Sequence, residues 1–138
     1  MRLAILDTNV VVAAGVSPDG PPGRLVLDWV LRGQVGMVTC PWMVEEYRAV
    51  VRRRKFGAYG FPPTWLEPLV QTALHLPDPE PWPHSIPDAK DAMFLALAQV
   101  SGAWLITGDF KHFPEKARNG VTVLSPANYL AHLIATDR

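Results

Sequence analysis

The sequence predicts an α/β fold, a mainly parallel sheet covered by helices on both faces. Three observations carry that prediction. Short apolar runs alternate with segments whose apolar residues recur at helical spacing, as strands joined by helical crossovers require. At 138 residues, with 49% hydrophobic side chains, the chain has the length and apolar content of one compact unit, so residues 1–138 are read as a single domain. Acidic residues stand just past the ends of two of the apolar runs, where open α/β sheets build their sites.

The chain opens on "RLAILDTNVVVAAG". Residues 3–6 are too few for a helix and read as a buried strand; Asp7, Thr8 and Asn9 interrupt it before Val10, Val11 and Val12 return the chain to the core. Over residues 22–32, Leu25, Val26, Trp29 and Val30 fall at helical spacing, and Gly33 can end that helix. Residues 35–39 are the second strand. Pro41 starts a helix with Val44, Tyr47, Val50 and Val51 on one side, and the basic run Arg52, Arg53, Arg54 and Lys55 at its end complements the helix dipole. "TWLE" at 64–67 has capping-box spacing and begins a short helix to about residue 71, in spite of Pro68. Residues 74–76 read as an edge strand, and 77–87 as a proline-rich loop too short to divide two domains. Residues 88–100 are strongly helical and mostly apolar, the pattern of a helix buried on more than one side. Residues 103–107 and 121–124 complete the strands, and Ser125 caps a final helix to residue 134 with Pro126 as its first residue.

Thirteen basic and thirteen acidic side chains cancel, so any attraction to nucleic acid must come from a local patch. Zero net charge also permits self-association. The single Cys40 cannot form an internal disulfide and reads as a buried structural thiol. Neither a signal peptide nor a long uncharged apolar run is present in the sequence, so a cytoplasmic protein without membrane contact is the expectation.

The chemistry resides in the acids. Asp7 and Asp109 follow the strands at 3–6 and 103–107 and share one sheet edge; Asp91 opens the apolar helix, with Asp88 one turn earlier, and Glu45 and Glu46 lie early in the helix after the second strand. Helix capping explains any one of them, Asp88 above all. A carboxylate that enters the apolar body, as Asp91 does, is costly unless paired or metal-bound. Carboxylates held together need a cation, and oxygen ligands suit Mg2+ or Mn2+. Zinc is disfavoured, because Cys40 stands alone and His75, His84, His112 and His132 lack close ligand spacing; His112 stands out only by its nearness to Asp109. Phosphate-binding glycine loops, dinucleotide fingerprints and serine elbows are missing from the sequence, which leaves metal-assisted hydrolysis ahead. Arg48, Arg52, Arg53, Arg54 and Lys55, with Lys90 and Lys111 beside the acids, are candidate contacts for the phosphates of a nucleic acid.

Together, "LDTNVVVAA", "EEYRAVVRRRKF", "PDAKDAMFLALA", "LITGDF" and "VTVLSPANYL" resemble the PIN-domain ribonucleases, most closely the bacterial branch of toxin components of toxin and antitoxin pairs. The resemblance runs over nearly the whole chain in the family's order. It implies a three-layer α/β/α sandwich and Mg2+- or Mn2+-dependent hydrolysis of RNA. It assigns Asp7, Glu46, Asp91 and Asp109 as the catalytic, metal-binding acids; Glu46 is chosen over Glu45 because the family's acid precedes the position of Tyr47. Thr8, Asn9, Asp88 and Thr107 fall on supporting polar positions. RNA, a cognate antitoxin and a second copy of the chain in a homodimer are the implied partners, and Trp65 and Trp82 are candidates for an exposed interface. Two departures stand out: Pro87, Asp88 and Ala89 replace the branch's Arg-Asp-Pro, and Arg53, Arg54, Lys55 and Phe56 replace its Arg-Pro-Lys-Phe. Two other classes stay open, a Mg2+-dependent phosphatase of a small substrate and a non-catalytic RNA- or partner-binding module. Asn9 stands where such a phosphatase carries its second acid.

Overall fold

The computed structural model describes residues 2–137. Five parallel strands lie in the order β3-β2-β1-β4-β5. β1 (Arg2–Leu6) is central, with β2 (Val35–Thr39) and β3 (Leu74–His75) on one side and β4 (Trp104–Ile106) and β5 (Val123–Leu124) on the other. Ala4, Ile5 and Leu6 have no exposed surface, as a strand covered on both faces requires. Ala4 is in register with both Met37 and Trp104. The strand order advances outward from β1 to β3 and then returns to the opposite side of β1, so the crevice between the carboxyl ends of β1 and β4 is the topological switch point. The α/β expectation is met by this five-stranded parallel sheet flanked by helices.

Helix α1 (Thr8–Val16) follows Asp7 directly, where the sequence reading has only a return to the core. Its residues are apolar nearly all round, so no polar stripe marks its period. α2 (Pro21–Arg24) widens over Leu25–Val30 into a π-type turn, with the Leu31 amide donating to the Val26 carbonyl at 2.9 Å, and Gly33 ends it at φ 78°. α3 (Pro41–Val51) has Cys40 at its N-cap, fully buried and without a capping side chain. Asp78, from the proline-rich loop, supplies the cap instead: its Oδ1 accepts from the Trp42 amide at 2.9 Å.

The capping box expected at Thr64 is not formed. α4 (Leu66–Thr72) begins later, without a side-chain cap, because the Glu67 carboxylate is taken by Arg48. Pro68 falls within the first turn, where no amide bond is lost. The helix expected over 88–100 divides into a 3-10 turn (Ala89–Asp91) and α5 (Ala92–Ser101), which Gly102 ends at φ 75°. Ser125 caps α6 (Pro126–Thr136) as expected, its Oγ accepting from the Asn128 amide at 3.1 Å. Trp65 and Trp82 are not the free surface residues expected of an interface: both pack partly buried against the core, and the Trp82 indole donates to the Ala117 carbonyl at 3.2 Å. Among the described residues, no helix is long and apolar enough to cross a membrane.

Candidate active site

At the switch point, β1 ends in Asp7 and β4 is followed by Thr107. The Asp7 amide donates to the Ile106 carbonyl at 2.9 Å, which ties the two strand ends together. Thr107, fully buried, donates its hydroxyl to Asp7 Oδ2 at 2.7 Å and accepts from the Asp109 amide at 3.1 Å. One side chain therefore orients the first acid and the loop carrying the last. Burial pushes the Asp7 carboxyl above its ordinary range, and the Thr107 hydrogen bond works in the opposite direction. Asn9 Oδ1 accepts from the Gly108 amide at 3.4 Å and adds a second, longer tie.

Glu46 reaches the same place from α3. Its neighbour Tyr47 is fully buried and donates its hydroxyl to the Leu6 carbonyl, fixing α3 against the end of β1. That anchor turns Glu46 toward the crevice and leaves Glu45 outside, exposed and 3.6 Å from Arg48. Tyr47 reads in the sequence only as a hydrophobic marker of the preceding acid; its hydroxyl, an unusual group to bury completely, is the signal that could have singled it out.

Asp91 opens α5 at 8% exposure, and its carboxyl is pushed up to about 6, by burial first and by the negative charge of Asp7 next. His112 offsets part of that shift. Its Nδ1 lies 2.9 Å from Asp91 Oδ2 and its Nε2 lies 3.2 Å from Asp109 Oδ2. The first contact is close but out of line for a hydrogen bond, so Asp91 Oδ2 remains buried without a partner. Asp109 Oδ1 accepts from the Lys111 amide at 3.2 Å and caps the 3-10 turn Phe110–His112.

These elements enclose an open groove of about 560 Å³. Asp7, Thr8, Asn9, Glu46, Asp91 and His112 line it, together with Arg53, Lys55 and Phe56. Asp109 is not among the lining residues and meets the groove only through His112. Asp88 is exposed and caps its own turn, accepting from the Lys90 amide at 3.0 Å. Of the basic candidates, only Arg53 and Lys55 border the acids. Arg48 is held by Glu67 at 2.7 and 3.2 Å, Lys90 faces a separate groove with Trp42 and Trp82, and Arg52 and Lys111 are exposed away from the groove lining.

The donor set fits a hard divalent cation in its chemistry: carboxylate oxygens predominate, two carboxyls are held above their ordinary range, and a buried carboxylate oxygen has no partner. Among the described residues, no three His, Cys, Asp or Glu side chains yet close on one point as a bound metal requires.

Residues 4–111 match the PIN domain, and the chain belongs to the PIN-domain family. That family's members are typically nucleases that use divalent metals. Several solved structures share the fold. PAE2754 from Pyrobaculum aerophilum is 16% identical, with a TM-score of 0.58 over 98% of this chain and 91% of that one. FitAcB from Neisseria gonorrhoeae is 22% identical, with a TM-score of 0.59 over 90% of this chain and 98% of that one. VapBC2 from Rickettsia felis, solved bound to a DNA fragment from its promoter, is 13% identical, with a TM-score of 0.58 over 90% and 98% of the two chains. No curated protein is similar enough in sequence to count as a relative. The resemblance read from the motifs is borne out at the level of a PIN-domain protein structurally similar to the VapC and FitB proteins.

Proposed function

We propose that the chain is a metal-dependent endoribonuclease, the toxin component of a toxin and antitoxin pair acting in the cytoplasm, with Asp7, Glu46, Asp91 and Asp109 as its acids. The observation that carries the reading is Asp91, a buried carboxylate whose Oδ2 accepts no hydrogen bond, facing a groove that Asp7 and Glu46 also line. A structural role alone does not account for three acids directed into one groove, since capping needs each of them only at its own helix.

A bound Mg2+ or Mn2+ would polarise the scissile phosphodiester and lower the pKa of the attacking water. Asp7, Glu46 and Asp91 would hold it, together with Asp109, which His112 contacts at 3.2 Å. Thr107 keeps Asp7 oriented by donating to Oδ2 at 2.7 Å. Thr8 and Asn9 line the same wall, and Asn9 also braces the Gly108 backbone. Arg53 and Lys55 are placed to hold phosphates flanking the reacting one, the role first considered for Arg48, Arg52, Lys90 and Lys111 as well. A cognate antitoxin and a homodimer belong to the same proposal, resting on the sequence resemblance and on the fold shared with VapBC2 and FitAcB.

The test is a cleavage assay on structured and unstructured RNA with Mg2+ or Mn2+, comparing the wild type with Asp7→Asn and Asp109→Asn. Cutting by the wild type that is lost in both variants supports the proposal. Folded wild-type protein that leaves RNA intact while releasing phosphate from small monoesters points to the phosphatase class. Variants that cut at the wild-type rate overturn the assignment of the acids.

A further inference from the structure

The His112 side chain touches the carboxylates of two of the candidate acids from different parts of the fold. Asp91 starts α5, Asp109 follows β4, and the imidazole lies between them, with Nδ1 2.9 Å from Asp91 Oδ2 and Nε2 3.2 Å from Asp109 Oδ2. A divalent cation drawing on those same two oxygens would meet the positive charge or N–H of the ring beside them. The same ring lines the groove beside Asp7, whereas Asp109 does not line it.

The ring is also free to leave. Its side chain is 43% exposed, it stands on a single 3-10 turn, and its contact with Asp91 lacks hydrogen-bond alignment. A metal ligand or a rigid structural strut is expected to be better aligned and more deeply held.

We infer that His112 is a built-in competitor of the divalent cation: it bridges Asp91 and Asp109 in the metal-free protein and swings out when the ion takes their oxygens. His112 is then a positioning residue that sets the metal occupancy of the site. The inference rests on the metal-dependent reading above, and its test does not depend on RNA cleavage.

Two measurements decide it. Mn2+ affinity is read by calorimetric titration for the wild type, His112→Ala and His112→Gln, each first checked for folding by circular dichroism. Removing a competitor that makes two polar contacts should tighten Mn2+ binding about five- to tenfold, with both variants moving in the same direction. In the wild type, the His112 ring signals are followed by NMR during Mg2+ titration. They should pass from the carboxylate-bound to a solvent-exposed environment in step with Mg2+ binding. Weaker Mn2+ binding in the variants would make His112 a ligand and overturn the inference. So would unchanged affinity, or a ring whose signals stay fixed at saturating Mg2+. Failure of either ion to bind any of the proteins would instead remove the metal site itself, and the competitor with it.

Discussion

Replacing Asp91 by Asn should make the metal-free protein more stable. The Asp91 carboxyl ionises at an ordinary 3.8 in the unfolded chain and at about 6 in the folded one. Because the folded-state value is the higher, the folded protein binds the extra proton between those two values. The contribution of Asp91 to stability is therefore greatest below 3.8 and is lost as pH rises through about 6. Above that range the ionised carboxylate costs the fold about 3 kcal/mol. An uncharged amide avoids that cost but is itself buried where Oδ2 finds no donor, which takes back part of the gain. A net gain of about 1–2 kcal/mol at pH 7.5 is expected, or roughly 3–8 °C in melting temperature for a domain of this size. Calorimetric melts in EDTA at pH 7.5 and pH 4 measure it. The variant should melt higher at pH 7.5, and the advantage should shrink at pH 4, where the wild-type carboxyl is protonated. Mg2+ should raise the melting temperature of the wild type more than that of the variant. A variant that melts below the wild type at pH 7.5 in EDTA, or a gap that ignores pH, would refute the reasoning and return Asp91 to a structural role.

Three other substitutions test how the site is supported. Tyr47→Phe removes the buried donor to the Leu6 carbonyl and should cost about 1–2 kcal/mol in urea unfolding, with weaker Mn2+ binding as Glu46 loses its anchor. Asp78→Ala strips the only side-chain cap from the start of α3; a loss of about 1 kcal/mol is expected, together with faster proteolysis within residues 77–87. In Gly15→Ala the new Cβ would lie 2.5 Å from the Phe61 ring, so a loss of about 1–3 kcal/mol should outweigh the gain in helix propensity, and a higher melting temperature would show that Phe61 yields freely.

The elements most readable in the sequence are those with an unambiguous punctuation. Ser125 followed by Pro126 marks α6, and Gly33 and Gly102 end their helices with positive φ. α1 is hidden for the opposite reason: "TNVVVAAGV" has no polar face, so nothing in its period separates a buried helix from a strand. The site divides along the same line. Asp7 and Asp91 stand out because a carboxylate at the end of an apolar strand, or entering an apolar helix, is conspicuous, whereas Glu46 is separated from Glu45 only by the family resemblance. The competition for Glu67 between its own helix cap and Arg48 is not legible, since it depends on two elements meeting in space. His112 belongs to that second kind. It follows Asp109 by three positions, but its other partner, Asp91, is reached only through the packing of α5 against the end of β4.

The central position of β1 has a consequence for the order in which the protein is made. Asp7 leaves the ribosome early, yet the hydroxyl that orients it belongs to Thr107, 100 residues later, and the strand that carries Thr107 there must insert beside β1 from the far end of the chain. Bringing such distant segments together is an entropic cost that a nascent chain cannot recover until both have been synthesised. A chain stalled before Trp104 already contains Asp7, Glu46 and Asp91, but it lacks Thr107, which orients Asp7, and His112, which lines the groove beside them. The groove thus waits on residues from the last quarter of the chain, and an incomplete chain carries its early acids without the partners that hold them in place.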